Sequence, residues 1–218
     1  SWDAIKVYGV ENGWIRNVSS KYFAYSIVNL NGSAKNITVA NCTSLDPKSI
    51  ITGGRRYSFN TDGEQNLFTN CYASKGRHDY VNGSRVKGPN VFVNSTAVNT
   101  NADIGPHHRW AMATLFDNID SDGEINVQDR ASYGTGHGWA GANMVFWNCT
   151  GKSSICQSPW VSANNYNFGF MGKKDAGDFA PKPDGVWIGQ NKAGLFPTSL
   201  YYAQLDERLN NSVKFSVY

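Results

Sequence analysis

Ile15-Arg16-Asn17-Val18, Val39-Ala40-Asn41-Cys42, Phe68-Thr69-Asn70-Cys71, Phe92-Val93-Asn94-Ser95, Phe116-Asp117-Asn118-Ile119 and Phe146-Trp147-Asn148-Cys149 repeat one unit: an apolar residue, any residue, Asn, then a small or apolar residue. Successive asparagines stand 24, 29, 24, 24 and 30 positions apart. Such self-similarity marks a solenoid or array. A turn of about two dozen residues holds three short strands and three corners, and stacking turns roughly 4.8 Å apart pairs the backbone while covering each apolar face. The period therefore predicts an all-β chain wound as a right-handed parallel β-helix, a solenoid with the Ile, Val and Phe of each unit stacked inside. Asn tolerates the left-handed conformation of a corner, and the six asparagines are expected to face inward and bond amide to amide along the axis. A propeller blade needs about forty residues or more, and a leucine-rich repeat needs its leucine framework; neither is present. A β-sandwich is the competing arrangement. The two longer spacings imply extra residues in turns that emerge as loops on one face.

The 218 residues suit one domain, with helical coils over 1–157 and an irregular C-terminal region over 158–218 packed on the same domain. That region carries glycines, prolines and aromatics (Trp160, Tyr166, Phe168, Phe170, Trp187, Phe196), and Ser199 to Leu209 reads as an amphipathic helix. Leu200, Ala203, Leu205 and Leu209 are its apolar positions, Thr198 or Ser199 its N-cap, and its expected role is to cap the open solenoid edge. Charged residues are 17%, aromatics 13%, and glycines number 22, a balance that fits an all-β secreted protein rather than a helical cytosolic or disordered one. A net charge of +3 is too small for a nucleic-acid binder, and no apolar run approaches membrane-spanning length. No signal peptide precedes Ser1, and the start inside strand-like sequence suggests a mature or truncated chain, part of a longer chain or assembly. The expected location is extracellular.

Among the four cysteines no C-x-x-C pair occurs, which argues against zinc fingers. Cys149 and Cys156 could close a short disulfide loop, whereas Cys42 and Cys71 stack or bond across neighbouring coils. Asn-x-Ser/Thr sequons begin at eight positions. With Asn17, Asn41, Asn94 and Asn148 assigned inward, Asn31, Asn36, Asn82 and Asn210 remain as glycosylation candidates.

All four histidines fall between residues 78 and 137, and clustering of rare titratable groups marks a candidate site. The runs Gly105-Pro106-His107-His108-Arg109-Trp110-Ala111 and Gly136-His137-Gly138-Trp139-Ala140 share His, any residue, Trp, Ala. Counted from the ladder they fall at nearly the same place on neighbouring coils, so His108 and His137 should adjoin. Arg85, Arg109 and Tyr133 would form one column; Asn82, Pro106 and Arg130 would form the next. Cations for carboxylates, imidazoles for proton transfer and a tyrosine are the equipment of a lyase on an acidic polysaccharide. Catalysis is expected from His107, His108, His137 and Tyr133, and substrate binding from Arg77, His78, Arg85, Arg109, Arg130, Trp110 and Trp139. Two alternatives stand beside this reading. One is a non-catalytic glycan-binding or structural module, in which the same residues form a packed shelf; the other is a glycoside hydrolase with paired carboxylates among Asp117, Asp120, Asp122 and Asp129. Asp79 and Asp103 are a further carboxylate pair, and Arg55-Arg56-Tyr57 belongs to a basic turn. No metal or other cofactor is expected. Asp120-Ser121-Asp122-Gly123-Glu124 is faintly similar to a calcium loop but lacks its twelve-residue pattern and fits a turn.

Arg77-His78-Asp79 through Gly88-Pro89-Asn90-Val91-Phe92, the runs at 105–111 and 134–142, and Ser199-Leu200-Tyr201 with Ala203-Gln204-Leu205 and Glu207-Arg208-Leu209 resemble a group of secreted microbial proteins with a pectate-lyase-like right-handed β-helix. The resemblance covers most of the chain and implies the fold and a carbohydrate context; the label describes architecture rather than a reaction. The sequence lacks the aspartate cluster of the calcium-dependent pectate lyases.

Overall fold

The computed structural model describes residues 1–159, 163–179, 182–192 and 194–215, without the side chains of 211–215. Trp160, assigned above to the C-terminal packing, lies outside the described residues.

The chain is all-β, with long parallel sheets and a C-terminal helix, Leu200–Phe215. One sheet runs Asp3–Val7, Ser26–Leu30, Tyr57–Thr61, His78–Asn82, Gly105–Pro106. The longest path of the second runs Glu11–Arg16, Lys35–Ala40, Leu67–Thr69, Asn90–Val98, Thr114–Ser121, Val145–Trp147, Tyr166–Phe168, Val186–Ile188. Neighbours in both are parallel and come from successive repeats, an arrangement consistent with a β-helix-like solenoid. Pairing runs past residue 157, where the sequence suggested that the ladder stops: Val145–Trp147 pairs Tyr166–Phe168, which pairs Val186–Ile188.

The expected apolar stack is present. Ile15, Val39, Phe68, Phe92, Phe116 and Phe146 are register partners in turn. The ring centroids of the four phenylalanines lie 4.6, 5.1 and 5.3 Å apart. Each buried ring contributes about 1.5–3 kcal/mol by leaving water.

The asparagines behave as expected in backbone and contrary to expectation in side chain. All six adopt positive φ, between 47° and 59°, so each marks a corner. Their side chains face outward: Asn17, Asn41, Asn70 and Asn94 are exposed, and Asn118 and Asn148 half-buried. A left-handed residue interrupts the alternation of the strand, so that the residue two positions before it and the residue after it face inside while it faces outside. The ladder bonds survive on the surface, Asn41 Nδ2 donating to Asn17 Oδ1 at 3.3 Å and Asn118 Nδ2 to Asn94 Oδ1 at 3.3 Å. The ground for excluding four sequons is therefore removed, while Asn82, retained as a glycosylation candidate, is fully buried at 0% exposure and cannot present its amide. Asn36 and Asn210 are exposed and Asn31 half-buried.

Two further expectations are corrected. All four cysteines are free and buried. Cys149 and Cys156 are separated by the extended strand Thr150–Cys156, which spans roughly 20 Å at about 3.3 Å per residue, far beyond disulfide reach. The C-terminal helix braces a flank of the sheet rather than its open end. Asp117 Oδ2 accepts from Ser199 Oγ and from the Tyr201 amide, both at 2.7 Å, and Tyr202 Oη meets Thr69 Oγ1 at 3.0 Å. Ser199 is the N-cap, its Oγ accepting from the Tyr202 amide.

Candidate functional site at the histidine cleft

The first sheet ends beneath a cleft of about 420 Å³ lined by Tyr57, Arg77, His107, His108, Arg130, Tyr133 and His137, with Gly53, Gly54, Gly134 and Thr135 at its edges. Tyr57 and His78 are register partners on neighbouring strands, and their rings meet edge-on at 4.8 Å. His107 follows directly on Gly105–Pro106, the strand paired with Val81–Asn82. His137 follows the short helical turn Tyr133–Gly136. Four histidines from three repeats are thereby joined: the His78–His107 centroids lie 3.8 Å apart, His107–His108 5.1 Å, His107–His137 5.5 Å and His108–His137 4.9 Å. The adjacency of His108 and His137 deduced from the repeat is present.

Asp103 organises the floor. Its Oδ2 lies 3.1 Å from His107 Nδ1, its Oδ1 3.4 Å from His78 Nδ1 and 3.6 Å from Arg130 Nη1, and its backbone carbonyl 2.8 Å from His78 Nδ1. Burial alone would raise this carboxyl, but the surrounding His78, His107 and Arg130 hold it well below the usual range. His78 is itself uncharged near neutrality, so the His107 hydrogen bond and Arg130 keep Asp103 ionised. Burial brings His78 down to about 3, with His107 and Arg77 adding to the effect. Burial, with His107 and Arg130 adding to it, takes both His108 and His137 down to about 4. Tyr57 is pushed up to about 12 by burial, and its hydroxyl lies 3.3 Å from His108 Nε2. At neutral pH the cleft thus presents unprotonated imidazoles at His108 and His137, a protonated phenol and two arginines. His78, Asp103 and His107 are also the described group that could hold a metal ion, each offering a donor atom within 4.8 Å of the others.

Several expected residues stand elsewhere. Arg85 belongs to a separate recess with Asp62, Glu64 and Lys87. Arg109 commits its guanidinium to the 133–137 turn, donating to the Thr135 carbonyl and hydroxyl and to the Gly136 carbonyl. Trp110 and Trp139 do not line the cleft. Tyr133, 63% exposed, sits on the rim with its ring 5.6 Å from Phe179. The carboxylates proposed for hydrolysis are engaged outside the cleft: Asp117 holds the C-terminal helix, Asp122 accepts from the Asn99 and Thr100 amides, and Asp129 pairs Lys182 at 2.8 Å. Asp79 bonds Ser58 and not Asp103. Sequence reasoning missed Tyr57, treated as part of a basic turn, and Asp103 as the partner of His107. The i, i+4 spacing of Asp103 and His107 was the one visible signal.

Comparison with protein-family models, curated proteins and solved structures yields no match.

Proposed function

We propose that the chain is a right-handed parallel β-helix of the secreted, carbohydrate-active kind and that the histidine cleft is a lyase site for a uronate-containing polysaccharide. The observation that carries this reading is the convergence of Arg77, Arg130, His108, His137 and Tyr57 on one cleft that no carboxylate pair lines. Arg77 and Arg130 bind the uronate carboxylate. An imidazole of His108 or His137 takes the proton from the carbon beside that carboxylate, and the electron pair forms a carbon–carbon double bond as the glycosidic oxygen leaves. Tyr57, still protonated, gives its proton to that oxygen. His107, locked to Asp103, fixes the floor, and Tyr133 offers a ring at the rim for a sugar face.

The second reading is a glycan-binding or structural module, favoured by the near-complete burial of His78 and His107. The readings separate on one experiment, incubation with a panel of polyuronides while following the ultraviolet absorbance of the unsaturated product. A signal with wild type that Tyr57→Phe lowers by about a hundredfold supports the lyase. No signal on any polyuronide, with or without calcium, refutes it.

A further inference from the structure

We propose that His78, Asp103 and His107 form a binding site for a divalent transition ion of the zinc class. The donors are preassembled from two repeats. One donor atom from each of the three residues lies within 4.8 Å of the others, close enough for small side-chain shifts to bring them onto one ion with metal bonds of about 2.0–2.1 Å. Two imidazoles and one carboxylate are the ligands of zinc-class ions, whereas calcium takes six to eight oxygens.

A second observation is independent of this spacing. His78 is wholly buried, yet its Nε2 has no hydrogen-bond partner. With Nδ1 2.8 Å from the Asp103 carbonyl, the ring proton sits on Nδ1 and donates there, and the Nε2 lone pair is left buried and unsatisfied, at about 1–3 kcal/mol. A metal ion bound at that nitrogen offsets the cost.

The ion also has a route in. Asp103 lines a polar groove of about 400 Å³ with Asp122, Glu124 and Asp178, in which Lys152 is the one cation among the described residues. This acidic groove shares no lining residue with the arginine-bearing cleft and draws cations toward Asp103. Arg130, 3.6 Å from Asp103 Oδ1, is the group that opposes binding. The fourth position falls to water or to an oxygen of a bound ligand.

The test uses the untagged chain, stripped with chelator and titrated with zinc chloride against a chromophoric competitor, with cobalt(II) as a spectroscopic probe. One equivalent should bind, and cobalt should show the strong visible bands of a tetrahedral site. Asp103→Asn and His107→Gln should each weaken binding by about ten- to hundredfold. Arg130→Gln should tighten it by about tenfold, because a like charge has been removed. Circular dichroism establishes which variants fold, and affinities are compared among those. If wild type fails to compete for zinc, or if a folded Asp103→Asn or His107→Gln variant binds as wild type does, the site is refuted. Zinc binding without turnover on any glycan leaves this site standing and removes only the lyase reading.

Discussion

Asp79→Asn should make the protein more stable at alkaline pH, an outcome opposite to the usual loss of a buried side chain. Asp79 lies in the strand His78–Asn82 at 0% exposure; its Oδ1 accepts from Ser58 Oγ at 2.6 Å, and its Oδ2 has no partner. Burial pushes its pKa up to about 7, with Ser58 opposing the rise and the negative Asp122 adding to it. The folded value lies above the ordinary 3.8. Below that pH both states are protonated and the group is neutral to stability. Between 3.8 and about 7 the unfolded chain ionises while the fold retains its proton, so stability falls as pH rises. At about 1.4 kcal/mol per pH unit the accumulated penalty approaches 4 kcal/mol above pH 7. The amide of the variant keeps the shape, can accept from Ser58, and cannot ionise. Its fixed cost, an amide nitrogen at an unpartnered position, is the same at every pH. Guanidinium unfolding of wild type and variant at pH 4 and pH 8 isolates the effect, because every other titration cancels in the difference. The Asp79→Asn protein should gain about 4 kcal/mol relative to wild type between the two pH values. A difference that stays constant with pH would refute the assignment of a buried, proton-holding carboxyl.

Other perturbations separate the parts of the molecule. Phe116→Ala, in the middle of the ring stack, should cost about 3–5 kcal/mol in denaturant unfolding, whereas Phe196→Ala, at 91% exposure, should be neutral. Asp117→Ala removes the acceptor for Ser199 and Tyr201 and should cost about 1–2 kcal/mol, with hydrogen exchange in Leu200–Phe215 rising before that of the sheets; unchanged exchange there would show that the helix docks by other means. Four thiols should react with a thiol reagent, and only after unfolding; a count of two would restore the disulfide. Tyr57→Phe should lower any lyase turnover by about a hundredfold with the melting temperature held, whereas under the structural reading His137→Ala lowers the melting temperature and leaves glycan affinity intact.

The repeat made the parallel strand order legible because it samples the backbone at one phase. Six asparagines on one corner fixed which strands neighbour and which Ile, Val and Phe stack, since in-register parallel pairing leaves no other choice. It did not show which way the corner residue faces, because a left-handed φ breaks the alternation that the inward assignment assumed. Further corners went unseen: Asn12, Asn36, Gln65, Ala113 and Asn143, and Tyr22, Asp46, Lys75 and Asn99, all have positive φ, but only the first two pair amide to amide, at 3.0 Å. Their identities vary, so no string announces them.

The site was legible only where counting crossed regular repeats. Arg85 and Arg109 do adjoin, the Arg85 amide donating to the Arg109 carbonyl at 2.6 Å, but Tyr133 is not the next member of that column, because the 30-residue repeat carries the inserted turn 133–137. The Trp110 amide instead meets the Trp139 carbonyl at 2.8 Å. The two long repeats are the ones that matter for chemistry. The 29-residue spacing contains Gly53, Gly54 and Tyr57; the 30-residue spacing contains Arg130, Tyr133 and His137. They supply Gly53, Gly54 and Tyr57 on the one hand and Arg130, Tyr133 and His137 on the other, while the regular repeats between them contribute Arg77, His107 and His108, with His78 and Asp103 packed behind His107. A strict period can build only a uniform surface, since each turn presents the same face as the last. Concavity therefore requires two departures from the period with ordinary turns between them, and the spacing sequence 24, 29, 24, 24, 30 places the departures on either side of His78, His107 and His108. The identity of the residues that close the cleft, Tyr57 above all, depends on how each insertion folds back, which the ladder does not encode.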